Sequence, residues 1–183
     1  MSKPETEPSR QFSVAEMEAI IEQTFDNLGL FVRDAELSPE ITAKYEPGLI
    51  FREKGLTYAT YRVGGLAANC RFAIFSNHMT KKTPDPENYG LCFAEKGSVF
   101  KVLGRHDYDG GSWIVLLHLP GGEYWKAFVG FNSPVEADMV KSCVDWLETM
   151  TKNPVIPELL KEEWVDSCKY PVGVDDSGAF FPL

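Results

Sequence analysis

The chain is poor in features that would assign it to a specialised class. No window approaches the roughly 20 apolar residues that a bilayer-spanning helix needs. The longest basic run is Lys81-Lys82, and 27 acidic against 18 basic residues give a formal charge of −9. Phosphate backbones and anionic lipid surfaces are met by basic faces, so neither nucleic acid nor membrane is an expected partner, whereas a cationic partner is compatible. The four cysteines, Cys70, Cys92, Cys143 and Cys168, form no C-x-x-C pair. That spacing excludes a zinc knuckle and a dithiol redox motif, and it suits buried apolar thiols in a reducing compartment. G-x-G-x-x-G, P-loop, G-x-S-x-G and H-E-x-x-H patterns are missing, so no cofactor and no metal is expected. Met1 to Gln11 is polar, with two prolines and no apolar stretch. It reads as neither signal peptide nor anchor, which makes the expected location cytoplasmic.

What is present is enough for a core. Of 183 residues, 44% are hydrophobic, 13% aromatic and 25% charged, a balance suited to one domain that folds without staples. The expected organisation is a flexible tail over 1–12 and a single α+β domain over 13–183. Ser13-Val14-Ala15-Glu16 is a capping box, in which serine and glutamate side chains satisfy each other's backbone amides. A helix over 13–28 follows, with Met17, Ile20, Ile21, Phe25 and Leu28 on one stripe and Gly29 as a left-handed stop. Ser133-Pro134-Val135-Glu136 repeats this logic and opens a helix over 134–151. A shorter helix is expected near 157–164, and the apolar end Phe180-Phe181-Pro182-Leu183 makes 169–183 an irregular strap.

Between the helices, residues 49–131 read as a central antiparallel meander sheet of about six or seven strands. Before it, 30–47 carries only a short helical turn at Ser38-Pro39-Glu40. The sheet begins as a hairpin of 49–52 with 57–63, followed by Asn69 to Asn77, which is apolar on both faces. A loop from His78 to Tyr89 precedes strands at 91–93 and 99–103. A second loop, Gly104 to Gly111, leads into the wholly apolar Trp113 to Leu117, and Tyr124 to Phe131 is the last strand. What covers the second face of such a sheet is open: the helices supply one layer, and a partner chain is a candidate for the other.

The candidate catalytic residues are His78, His106, Asp107 and Asp109. Asp107 and Asp109 resemble a fragment of a calcium loop, without its third ligand or closing glutamate, so a metal site is not expected there. If Gly104 to Gly111 is a hairpin loop, His106 and His118 stand about ten residues apart, too far at roughly 3.4 Å per residue to share a site. His78 could join either. Cys70 and His78 are more than about 25 Å apart along an extended strand, which excludes a thiol nucleophile with that base. Among the strand aromatics, Tyr58, Tyr61 and Trp125 are the candidate binding residues.

Two functions are compatible with these features. The first is a non-enzymatic protein-binding or regulatory module, immunity- or adaptor-like, that recognises a protein partner or a second copy of itself as a homodimer. The second is a small hydrolase using a loop or strand-end histidine with an aspartate. They separate on strand order: the enzyme requires the His78 loop and the 105–111 loop at one end of the sheet.

Overall fold

The computed structural model describes residues 10–183, so nine residues of the expected 1–12 tail lie outside the described residues. The α+β class holds: a mostly antiparallel sheet of eight strands is packed with helices. Helix α1 (Val14–Phe25) starts as its sequence demands, with the Ser13 hydroxyl accepting from the Glu16 amide at 3.2 Å and the Ser13 amide donating to Glu16 at 2.8 Å. It stops earlier than expected. Asn27, at φ 52°, takes the left-handed position assigned to Gly29, and Gly29 opens a strand instead.

That strand, β1 (Gly29–Ala35), was hidden because Arg33 and Asp34 interrupt its apolar run. Helix α2 (Pro39–Thr42), capped by Ser38, is the expected short turn. The remaining strands are β2 (Ile50–Arg52), β3 (Thr57–Thr60), β4 (Cys70–Ser76), β5 (Thr80–Lys81), β6 (Leu91–Ala94), β7 (Val99–Tyr108) and β8 (Gly111–His118). They lie in the order β2-β7-β8-β4-β1-β3-β6-β5. The strand pairing therefore departs from a sequential meander. β2 pairs with β7 rather than forming a hairpin with β3, and β4 pairs with β8 in parallel.

Two other segments change. The loop expected over 104–111 is the continuation of β7 into β8 through a tight turn at Asp109-Gly110, with Gly110 at φ 103°. Tyr124–Phe128 is a 3-10 helix, not a strand: the Lys126 and Val129 amides turn back to the Glu123 and Lys126 carbonyls at 3.0 and 3.2 Å. Helix α3 (Pro134–Met150) has its capping box in place. After it come a 3-10 turn (Pro157–Leu160) and α4 (Glu162–Cys168).

Both faces of the central strands are covered from within the chain. On one face Phe72, Ile74, Phe100, Ile114 and Leu116 meet Tyr45, Val172, Val174 and Phe180, so the C-terminal strap is the missing layer. On the other, Ala73, Trp113 and Val115 pack beneath α3, while Leu117 and Phe128 pack beneath α1. Two ion pairs are sunk into this frame. Arg71 and Asp34, opposite each other in the β1–β4 ladder, form a bidentate pair at 2.6 and 2.7 Å, and Arg71 also donates to the Gly64 and Gly65 carbonyls. Lys101 meets Glu136 at 2.8 Å.

Candidate functional site

Because β4 and β8 run in parallel, Ser76 and His118 arrive at the same sheet end, and Ser98, just ahead of antiparallel β7, arrives there too. The His118 ring is buried between two hydroxyls, with Nδ1 2.9 Å from Ser76 and Nε2 3.1 Å from Ser98. The Ser76 oxygen already accepts the His78 amide at 3.1 Å. Its own O–H is then available to Nδ1, which leaves the proton of a neutral ring on Nε2, facing Ser98. Phe100 stacks on His118 at 4.9 Å between ring centroids, and His78 stacks on it at 3.8 Å. Burial, reinforced by the neighbouring His78 charge, lowers the His118 pKa to about 3.

His78 is the exposed member of the pair. Burial of part of its ring lowers its pKa as well, against the opposing pull of the Leu119 carbonyl. The ring is oriented by Asn77. The Asn77 amide nitrogen donates to the Gln23 and Asp26 carbonyls at the end of α1, at 2.8 and 3.0 Å, so its oxygen turns to His78 Nδ1 at 2.9 Å. That oxygen accepts only, and it fixes a proton on Nδ1. Beside the ring is an open cleft of about 410 Å³ walled by Ile20, Gln23, Thr24, Pro120 and Tyr124. A neutral imidazole at a water-accessible cleft is a proton acceptor near neutral pH. The cleft lining includes no carboxylate and no cysteine.

The other candidates lie elsewhere. His106 is within β7, stacked on its register partner Trp113 at 5.3 Å. Asp107 accepts from the Ser112 hydroxyl at 2.7 Å and faces Arg105 at 3.3 Å; Asp109 sits in the turn. Ser112 and His118 lie near opposite ends of β8, about 20 Å apart at strand spacing. The two loops are thus at opposite ends, and the histidine–aspartate pair of a hydrolase is not assembled. Tyr58 lines a cavity beside α4, Tyr61 borders a groove with Trp146, and half-buried Trp125 packs under α1. These three rings do not form one surface.

Ser76 and Ser98 were not legible as site residues, since only the parallel β4–β8 pairing makes the two serines neighbours of one ring. All four cysteines are free and buried, and burial raises each thiol's pKa, to about 12 for Cys143 and about 11 for Cys168. No group of three or more His, Cys, Asp or Glu side chains among the described residues is placed to hold a metal ion. No helix among them is long and apolar enough to cross a membrane.

The fold and this site define an α+β domain with a histidine pair at the end of a parallel strand pair. No family model matches the sequence, and no curated protein matches it. Several solved structures are similar in shape. The ADP-ribosyltransferase HopU1 of Pseudomonas syringae pv. Tomato DC3000 is 16% identical over 50% of this chain and 45% of its own, with a TM-score of 0.44. Exoenzyme S from Pseudomonas aeruginosa, in complex with human 14-3-3 protein beta and bound to carba-NAD, is 15% identical over 68% and 64%, with a TM-score of 0.45. The type III effector XopAI from Xanthomonas axonopodis pv. citri is 12% identical over 58% and 50%, at 0.46. This chain thus spans between about half and two-thirds of the length of these structures.

These comparisons correct the expectation of a non-enzymatic, immunity- or adaptor-like module. The proteins of similar shape include named ADP-ribosyltransferases, not adaptors. The likeness is one of shape and assigns no reaction to this chain.

Proposed function

We propose that the chain is a group-transfer enzyme in which His78 takes the proton from an incoming hydroxyl, thiol or amine held in the cleft beside α1, as that atom bonds to the transferred group and the donor's bond to the group breaks, its leaving group departing through the open cleft. The observation that carries this is the stacked pair: an exposed, neutral His78 lies 3.8 Å from a buried His118 whose ring is fixed by two serine hydroxyls. His118 is the positioning residue. It gives His78 a flat, uncharged platform, and protonating both rings at that distance is opposed by like-charge repulsion. Asn77 holds the tautomer. The proton taken up by His78 returns to water through the open cleft.

Nitrogen-15 NMR of the imidazoles, with a substrate panel, tests this. The expected result is a His78 titration below 6.5, shift changes confined to 20–24, 77–78 and 120–124 with an active substrate, and loss of turnover in His78→Gln. The panel includes NAD, whose carba analogue occupies the exoenzyme S structure, read by nicotinamide release. A His78 already protonated at neutral pH, or a His78→Gln variant with undiminished turnover, would overturn the assignment. We also propose that 13–183 acts as one domain in a cytoplasmic setting. Support comes from the continuous sheet and the four free thiols.

A further inference from the structure

Among the described residues, no Asp, Glu, Lys or Arg lines the cleft beside His78. Arg10, outside the lining, stands 5.5 Å from the Tyr124 ring centroid and is paired with Glu16 at 3.4 Å. The Gln23 and Asp26 carbonyls at the end of α1, which would draw a cation, already accept the Asn77 amide nitrogen. A charged ligand entering here gives up hydration and meets no counter-charge.

Hydrogen-bonding capacity, by contrast, is ample. The Thr24 hydroxyl, on a residue 5% exposed, donates to the Ile20 carbonyl at 2.7 Å and so meets a ligand as an acceptor. The Tyr124 oxygen accepts from Arg10 at 3.5 Å, which leaves its O–H as a donor. The Gln23 side-chain amide offers both. An alkyl amine arrives as an ammonium, and a thiol is a weak partner for these groups, whereas a hydroxyl is neutral and bonds in both directions.

Gly121 completes the lining. Its backbone lies outside the left-handed region, unlike that of Gly122 at φ 62°, and a Cβ at Gly121 would meet no atom within 4 Å. A side chain is therefore compatible with the backbone there, and it would take up room that the glycine leaves open. With that room the cleft measures about 410 Å³, within the range of small-molecule sites.

On the reading of His78 as the base, we propose that the acceptor is an uncharged alcohol, held by Gln23, Thr24 and Tyr124, and that Gly121 sets the size of the carrier admitted.

The test is an NMR titration of the full chain at neutral pH with two trios matched in size: sorbitol, glucamine and gluconate, and benzyl alcohol, benzylamine and benzoate. The expected result is that, in one trio, the neutral member saturates the shifts of 20–24 and 120–124 and binds about tenfold or more tighter than its charged counterparts. Saturation by sorbitol points to a polyol carrier, and saturation by benzyl alcohol to an aryl one. Gly121→Leu weakens that binding about tenfold and Gly121→Ala less, while the His78 titration stays where it was. A charged member bound as tightly as the neutral one, no saturable binding in either trio at millimolar concentration, or wild-type affinity in Gly121→Leu would each sink the proposal. An ordinary His78 titration with the same preference for the neutral member would remove the base and uphold the selectivity of the cleft.

Discussion

At the scale of single residues, His118 shows how strongly a site can be set by what surrounds a side chain. An exposed imidazole titrates near 6.5; buried against Phe100 and beside His78, this one is held at about 3. The unfolded chain therefore binds a proton near pH 6.5 that the folded chain refuses until about 3. The stability contributed is complete above pH 6.5 and is lost as pH falls toward 3, with a slope of about 1.4 kcal/mol per pH unit, or about 2 kcal/mol by pH 5. His78, shifted in the same direction, adds to the loss in the same window. Urea midpoints at pH 7 and pH 5 check this: wild type loses that stability, and His118→Asn loses about 2 kcal/mol less. Equal losses in the two proteins would mean that His118 titrates normally.

At the scale of elements, what was legible was whatever is encoded within a few residues. Both capping boxes stand as the sequence requires, and so does the strap, whose Phe180 returns to the core. What escaped was encoded at long range. β1 carries Arg33 and Asp34, polar residues whose burial makes sense only through distant partners: Arg71 opposite Asp34, and the Tyr58 and Tyr170 carbonyls that accept from Arg33. Tyr124–Phe128 has strand-forming residues but packs as a helix under α1. The candidate site suffered most, because a parallel pair such as β4–β8 leaves no local trace and Ser76, Ser98 and His118 meet only through it. Helix α3 gives the element-scale prediction. Ser133 caps it by accepting the Val135 amide at 3.1 Å, and Ser133→Ala costs about 1 kcal/mol. Glu136 closes the box from the other side and is also the partner of Lys101, which is 2% exposed. Glu136→Gln keeps a cap acceptor but leaves the buried ammonium without its counter-charge, the Phe131 carbonyl being its other acceptor, for about 3 kcal/mol. Chemical denaturation ranks the two; a Glu136→Gln loss no larger than that of Ser133→Ala would show that the buried pair adds nothing beyond the cap.

At the scale of the whole molecule, the sheet has two covered faces but only one set of long helices, and the last fifteen residues resolve the difference. The strap is held by polar contacts as well as by burial: the Tyr45 hydroxyl donates to the Val172 carbonyl at 2.7 Å, and the Gly173 amide donates to Glu53 at 2.6 Å. Gly173 has φ 78°, and a Cβ there would sit 2.1 Å from the Phe51 ring, so only glycine lets the strap pass. Beyond it Phe180 comes to 5.1 Å from Tyr45 and 5.0 Å from Phe51 between ring centroids. Phe180→Ala therefore opens the core at its outer layer and costs about 2 kcal/mol, below the usual range for a fully buried phenylalanine because this ring is half-buried. Gly173→Ala costs more, since it forces both a left-handed alanine and a displaced Phe51. The same two variants separate a structural strap from a loosely laid one by hydrogen exchange. If the strap is the second layer, both variants speed exchange in β2 and β7, the strands beneath Phe51 and Phe100, while β3 and β6, on the far side of the sheet order, keep their protection. Unchanged exchange in β2 and β7 would leave that face without an identified cover.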